Sequence, residues 1–461
     1  MEILLGSEDY LPALSQALLK KHSLKYKKAI TSFDKNALQK LLDYSYAYVQ
    51  EEELEEIIER AVVLCEGDTI HAEHLLLSNS PNMPAGRLNI YKYSFVLNFV
   101  KKKIFPEAMG FVVLGVFFIN WFSLFASPTI GKWANLFIWT MAWPILIFTT
   151  AFFGRVTCAL CPMAYIGEKL HKLFNLDKPL PWVLKKYGYL ITTLSFVFVF
   201  WIEEFMGMRN SPVTTGLLVL TIVTIAGFTF LLFPRHTWCS NLCPLGTFIS
   251  IVAMGSVFEL RTDHKTCRSK CTHHFCYRGS KNADGCTLSQ HAPYVDNSLV
   301  CKFCMKCTRS CPFHSVQLNL RKPGAEIPEL AYINRGMVVF VITVLAMIFP
   351  VEFFESIKAQ MPFEIWRIKF SFVYWTSVGL AMLGSWLFIR RKLDDPKYLL
   401  VTRMIFALSP TVTGLFIAHH LKYFPIAPNN WVLLLFVAIG MLFSFTLEWR
   451  ILNEHFHNIP E

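Results

Sequence analysis

Charge is what this sequence has least of. Charged residues fill 17% of its 461 positions, against roughly 25% in a soluble domain. The deficit comes from several long apolar runs, which excludes an ordinary soluble enzyme and marks an integral membrane protein. Acidic residues are the scarcer sign, 33 against 44 Lys and Arg, for a net charge of +11. Such an excess would fit a nucleic-acid binder if it formed one basic face. Here Lys and Arg cluster beside apolar runs, where they set membrane sidedness, and no direct nucleic-acid binding is expected. No glycine-rich loop of Walker A spacing occurs, so ATP hydrolysis is not supported. No cleavable signal is expected, because residues 1–40 are amphiphilic and charged. The 13 cysteines therefore read as thiolates held for metal in a reducing compartment rather than as disulfides.

What is present begins with eight apolar runs, at about 106–126, 133–153, 187–205, 216–234, 336–354, 370–389, 401–421 and 431–449. Each is near the roughly 20 residues a membrane helix needs. A ninth, 245–260, is shorter and interrupted by Gly255, and reads as a re-entrant or interfacial helix. Basic residues crowd before the first run (Lys101, Lys102, Lys103), after the second (Arg155, Lys169, Lys172, Lys185, Lys186) and after the sixth (Arg390, Arg391, Lys392). Glu203 and Glu204 fall in the loop after the third, and the last loop, 423–430, lacks charge. Eight spans with both termini in the cytoplasm satisfy the positive-inside rule at most loops. That places the segment 262–322 in the cytoplasm too.

This segment holds the sharpest motif. Residues 301–311 read CKFCMKCTRSC, followed by Pro312, the C-x2-C-x2-C-x3-C-P spacing of a 4Fe–4S ligand run. Zinc also takes four thiolates, but from two separated C-x2-C pairs. Upstream lie Cys267, Cys271, Cys276 and Cys286. In two-cluster ferredoxins the last cysteine of each half crosses over. By that logic Cys301, Cys304 and Cys307 hold one cluster with Cys286, and Cys267, Cys271 and Cys276 hold the other with Cys311. The alternative is one cluster on 301–311 and a zinc or disulfide on the upstream four. His264, His273, His274 and His291 lie among these cysteines and read as solvated loop histidines, although a histidine could replace one thiolate.

Two further pairs follow membrane runs: Cys158-Ala-Leu-Cys161-Pro162 after the second, and Cys239-Ser-Asn-Leu-Cys243-Pro244 after the fourth. Each follows a basic residue, Arg155 or Arg235. Together they put four thiols on one predicted membrane face, as a third metal centre, as redox dithiols, or as two unrelated structural pairs. His419 and His420 end the seventh run. Haem ligation would need an opposing histidine at similar depth, and no other run supplies one. They read as interfacial histidines near Tyr423, with quinone contact as the functional alternative.

Paired C-P motifs after membrane spans, then a cytoplasmic ferredoxin segment, resemble the NapH/NosR-type membrane polyferredoxins over about 105–325. The resemblance implies electron transfer through membrane-anchored 4Fe–4S clusters, often between the quinone pool and a partner. The family usually repeats C-x3-C-P, whereas the first pair here is C-x2-C-P; a flavin-binding extracytoplasmic domain of the NosR kind is not evident. Separately, 53–75 (ELEEIIERAVVLCEGDTIHAEHL) resembles the helical lid that follows the ATPase core of sigma-54-dependent transcription activators. The match runs from Asn36, with Tyr46–Gln50 in place of that family's Trp-Pro-Gly turn. Apolar spacing over 36–42 and 51–64 (Leu54, Ile57, Ile58, Ala61, Leu64) predicts amphipathic helices, and Cys65 reads as a small buried residue.

The expectation is a mostly α, polytopic helical membrane protein. It has a small helical domain (1–80), a linker (81–104), and a membrane domain with juxtamembrane C-P motifs (105–260). A cytoplasmic two-cluster ferredoxin-like insert (261–325) and a C-terminal four-helix membrane domain (326–461) follow. Its expected cofactors are two 4Fe–4S clusters, with a third centre at the membrane face as an open alternative. Its expected function is relay of electrons between a membrane quinol or thiol site and an unidentified redox partner, as a component of a quinol-linked oxidoreductase in a prokaryotic inner membrane. The rival reading is a redox sensor that signals through the N-terminal domain to a transcription regulator.

Overall fold

The computed structural model describes residues 10–42, 50–65, 67–71, 74–75, 87–174, 176, 178, 180–233, 237–263, 266–267, 270–271, 273–288, 290–295, 297–330, 335–390, 395–424 and 429–457. It divides into two compact units, Met1–Met83 and Pro84–Glu461.

In the first unit, helices Tyr10–Lys25, Lys35–Leu42 and Gln50–Leu64 enclose a small core. The three- and four-residue spacing of Leu54, Ile57, Ile58 and Ala61 puts all four on one face, and all four are buried. A short parallel pair, Ser32–Phe33 with Thr69–Ile70, ties the start of this arrangement to its end. Cys65 is fully buried, its thiol donating to the carbonyls of Gly67 and Thr69 at 3.4 and 3.3 Å. That is the role expected of it. The turn at 46–50 lies, but for Gln50, outside the described residues.

Among the described residues of the second unit, eight helices are long and apolar enough to cross a bilayer: Ile104–Ala126, Pro128–Phe153, Tyr187–Met206, Pro212–Leu232, Gly336–Gln360, Phe363–Ile389, Leu400–Leu421 and Asn430–Asn453. They coincide with the eight apolar runs. Only Ser127 separates the first two, capping the second by accepting from the amide of Ile130, with Pro128 at the first helical position. The seventh and eighth pack closely, because Gly414 faces the Phe436 backbone and Gly440 faces that of Pro410. Lipid tails give no hydrophobic drive for helix association, so such small-residue contacts carry it.

The ninth run divides. Pro244–Met254 is a helix too short to span, buried between the second, third, fifth and seventh spans. It lies inside protein, as backbone that does not span must, and not at an interface. Its Phe248 packs on Phe416 at 4.8 Å and on Phe196 at 5.3 Å. The C-terminal spans therefore share one core with the second and third spans rather than forming a bundle of their own.

The remainder of the run, Phe258–Thr262, is a strand that pairs antiparallel with Val316–Leu320, Phe258 opposite Leu320 and Thr262 opposite Val316. Leu88–Asn89 adds a third strand on the other side of Val316–Leu320. Of the stretch expected as a linker, 81–86 lie outside the described residues, while 88–101 are ordered as this strand, a short turn and the helix Ser94–Lys101. The sheet closes the base of the cysteine-rich loops. Beneath it, Arg321 and Arg261 both pair with Glu326, and Arg87 pairs with Glu259 at 3.0 Å. Burial alone would raise the Glu326 carboxyl, but Arg321, Arg261 and the Ser298 amide hold it below the ordinary carboxylate range.

Candidate metal centres

Each C-P motif places its cysteine at a helix N-terminus. The second span ends at Phe153, Gly154 turns the chain with φ 69°, and a short helix Val156–Ala159 follows. Cys161 then occupies the cap position of Pro162–Leu173, and Cys243 the cap of Pro244–Met254, with proline at the first helical position both times. The prolines begin these helices rather than ending the ligand loop. A proline there forfeits no helical bond, and the amides of Ala164 and Met163 act on Cys161 as that of Gly246 acts on Cys243.

The two pairs come together. Cys158 and Cys161 both act electrostatically on Cys239 and Cys243. Burial pushes the Cys239 thiol up to about 12 against the opposing charge of Lys302, and burial with the neighbouring thiols pushes Cys243 well above its ordinary value. Arg155 is buried beside them and donates to the carbonyl of Leu299 at 2.6 Å. Arg235, which precedes the other pair, lies outside the described residues.

A second group forms in the loop. Cys286, Cys301, Cys304 and Cys307 line one cavity, together with Arg261 and Lys302. The chain winds tightly here: Phe303 and Met305, on either side of Cys304, have φ of 56°. A left-handed backbone is costly for such side chains, and packing sustains it. Phe303 is buried against Gly154, where a Cβ would come within 2.7 Å of its ring. The hydroxyl of Tyr91 meets Met305 Sδ at 3.3 Å and Thr308 Oγ1 at 3.2 Å. Burial pushes the Cys301 thiol up to about 12 and Cys286 to about 11.

The third group is Cys267, Cys271, Cys276 and Cys311. Cys271 and Cys311 act on Cys267, and Cys267 and Cys271 act on Cys276. Ser315 Oγ lies 2.9 Å from Cys267 Sγ. Cys276 is also within electrostatic reach of Cys286 and Cys307, so the second and third groups adjoin. Cys286 thus lies near Cys301 and Cys304, and Cys311 near Cys267. The histidines differ from expectation. His291 is buried and its Nε2 lies 3.0 Å from His274 Nδ1, so these two are a packed pair rather than solvated side chains. His273 is exposed, and His264 lies outside the described residues.

All the described cysteines are free thiols. Among the described residues no three His, Cys, Asp or Glu converge as they would on a single metal ion. Thiolates on separate corners of an iron–sulfur cube need not converge so. Three groups of four thiols, half-buried or buried where an uncompensated thiolate is costly, suit a compact cationic centre and fit 4Fe–4S clusters.

The opposite ends of the spans carry a separate polar cluster. Glu203 and Glu204 lie within the last turn of their helix, buried, and not in a loop. Arg209 pairs with both at 2.6 Å and lies 2.8 Å from His419 Nε2, while His419 Nδ1 lies 2.5 Å from Glu352. His420 is fully buried, its Nδ1 2.9 Å from the carbonyl of Trp139 and its ring stacked on Trp143 at 5.1 Å. The pair is buried at the end of the seventh span, and His419 packs on Tyr423 at 5.6 Å, as expected.

Sequence reasoning passed over Lys302 and Arg261. The first stands inside the C-x2-C spacing, where a buried lysine is unexpected; the second gave no signal until the sheet placed it.

Comparison with known proteins bears on these sites. Residues 7–86 match the AAA+ ATPase lid domain, and residues 135–181 and 214–259 match a 4Fe–4S binding domain. The latter two segments contain Cys158 with Cys161 and Cys239 with Cys243. Over 156 residues the chain is 27% identical to the protein named "Putative electron transport protein YccM" of Escherichia coli (strain K12), covering 33% of this chain and 41% of that one. Two uncharacterized proteins of Methanocaldococcus jannaschii, MJ0750 and MJ0749, are 26% and 31% identical, over 28% and 25% of this chain and 62% and 47% of theirs. The chain thus spans less than two thirds of the length of each of these relatives. No solved structure matches. These likenesses support a 4Fe–4S protein with a role in electron transfer.

Proposed function

We propose that the protein relays electrons along three 4Fe–4S centres, from the membrane to a redox partner in the cytoplasm of a prokaryote. The centres are held by Cys158, Cys161, Cys239 and Cys243 at the membrane face; by Cys286, Cys301, Cys304 and Cys307; and by Cys267, Cys271, Cys276 and Cys311. A bound cluster supplies one-electron chemistry. The chain's own part is to hold the centres next to one another, bury them, and aim amides, Lys302 and Arg261 at the sulfurs, all of which set potential. The observation that carries the reading is the convergence of the two C-P pairs, distant in sequence, at the caps of two helices.

The donor on this reading is a membrane quinol, and the kinship is with the NapH/NosR-type polyferredoxins. The test is reduction by a short-chain quinol of anaerobically purified protein. Cys161→Ser and Cys243→Ser lose quinol-linked reduction of the 267–311 centres, while dithionite still reduces them. Wild-type quinol reduction in both variants would defeat the proposal, as would loss of the 267–311 centres themselves.

The second reading rests on the lid-domain match at 7–86. On it, the chain would be a redox sensor acting through that domain on a transcription regulator. A sensor need not turn over quinol, and the same assay separates the two.

A further inference from the structure

Arginine is seldom buried without a carboxylate, because a guanidinium taken out of water must have its donors met. Arg155 is only 4% exposed; among the described residues no carboxylate pairs with it, and its buried Nε has no hydrogen-bond partner. What it does have is a hold on two segments. Its backbone carbonyl accepts from the amides of Cys158 and Ala159 at 3.0 and 3.3 Å, opening the short helix that carries Cys158. Its Nη1 donates to the carbonyl of Leu299 at 2.6 Å, and from Leu299 the chain runs through Val300 into Cys301. An apolar contact lies beside this bond: the ring of Phe303, between Cys301 and Cys304, sits on Gly154 and shares one cluster with Val156, Ala159 and Leu160. A ring on a glycine brings surfaces together but does not fix how they are turned. A hydrogen bond from a rigid guanidinium is directional and does. A leucine would fill the place without the cost of burying a cation, so the bond is what the arginine adds.

We propose that Arg155 is a positioning residue that fixes the separation and orientation of the membrane-face centre and the loop centre on Cys286, Cys301, Cys304 and Cys307, and so sets the rate at which an electron passes between them. The inference rests on the reading of both cysteine groups as cluster ligands. Transfer between two centres falls steeply with their separation. A bond that holds the entry to Cys301 against the turn of Cys158 therefore acts on the rate without ligating either centre. One electron leaves one centre and enters the next; no covalent bond forms or breaks. The sheet keeps its own anchor to the second span, the amide of Val257 donating to the carbonyl of Phe152 at 3.1 Å. Loss of the arginine bond thus loosens the spacing and leaves the loops attached.

The experiment uses anaerobic full-length protein whose iron and acid-labile sulfide have been measured. With all centres reduced, paramagnetic resonance reads the spin coupling between neighbouring centres, which reports separation and orientation and not potential. A reducing pulse followed by freeze-quench resonance reads the transfer rate. Arg155→Met and Arg155→Gln, the second too short to reach, lose the coupling between the membrane-face and loop centres and slow transfer between them by at least about tenfold. The coupling between the two loop centres is unchanged in both and serves as the internal reference. Arg155→Lys, which can still donate to the Leu299 carbonyl, restores coupling and rate. The proposal fails if, with iron intact, Met and Gln keep the wild-type coupling, if both couplings change together, or if Lys behaves as Met does. It also fails if Met and Gln both lose membrane-face iron, since the arginine then holds the fold and not the spacing. Wild-type protein lacking sulfide would overturn the cluster reading, and the proposal with it.

Discussion

The membrane-face cysteines and the loop cysteines arrive at the same donor set by opposite routes. In the loop, 301–311 bring three thiols together by local winding, with Phe303 and Met305 in the left-handed region. At the membrane face nothing local suffices. Each C-P segment offers two thiols, and the four meet only because the second and fourth spans deliver their ends to the same place. Spacing therefore reveals the first kind of site and understates the second. The 4Fe–4S family match nevertheless falls on the second kind, at 135–181 and 214–259. A weak motif repeated at equivalent ends of two spans can carry as much chemistry as a strong one in a single run.

The comparison presumes that both regions occupy one face of the membrane, and the largest effect expected is binary. Reporter fusions after Lys186, near Arg321 and after Arg391 read cytoplasmic, and a fusion after Asn430 reads outside. A fusion near Arg321 reading outside would part the loop centres from their proposed compartment. Next in size is metal content. Anaerobic protein carries about twelve irons if all three groups hold a cube. Cys304→Ser removes up to about four from the loop, and Cys239→Ser up to about four from the membrane face. Should Cys239→Ser leave the iron count unchanged, the membrane-face pairs are dithiols or structural residues, and the likeness between the regions ends there.

The smallest effect tests the tertiary route alone. Gly167, on the helix that starts at Cys161, lies against Phe230 near the end of the fourth span, and a Cβ there would overlap the ring. Gly167→Ala costs about 1–3 kcal/mol by overpacking. In thermal melts it frees iron from the membrane-face group at lower temperature than from the loop groups. Equal loss from both would mean that the two regions unfold as one.

Much of this was legible in the sequence. Eight apolar runs became eight spans because hydropathy over some 20 residues is decided by composition alone. The buried face of 51–64 followed from its periodicity. What the chain alone could not give were features whose partners lie far away. The run 245–260 is uniformly apolar, and only its neighbours decided that Pro244–Met254 is a buried helix and Phe258–Thr262 a strand facing Val316–Leu320. His419 lies near Tyr423 as expected, but its partners Arg209 and Glu352, and the Trp143 ring stacked on His420, come from distant segments. Lys302 was one more basic residue in a basic chain until packing buried it beside Cys286, Cys301, Cys304 and Cys307. Composition and spacing are local sums that the sequence determines by itself; burial and charge pairing depend on what other segments bring, and only the tertiary structure decided those.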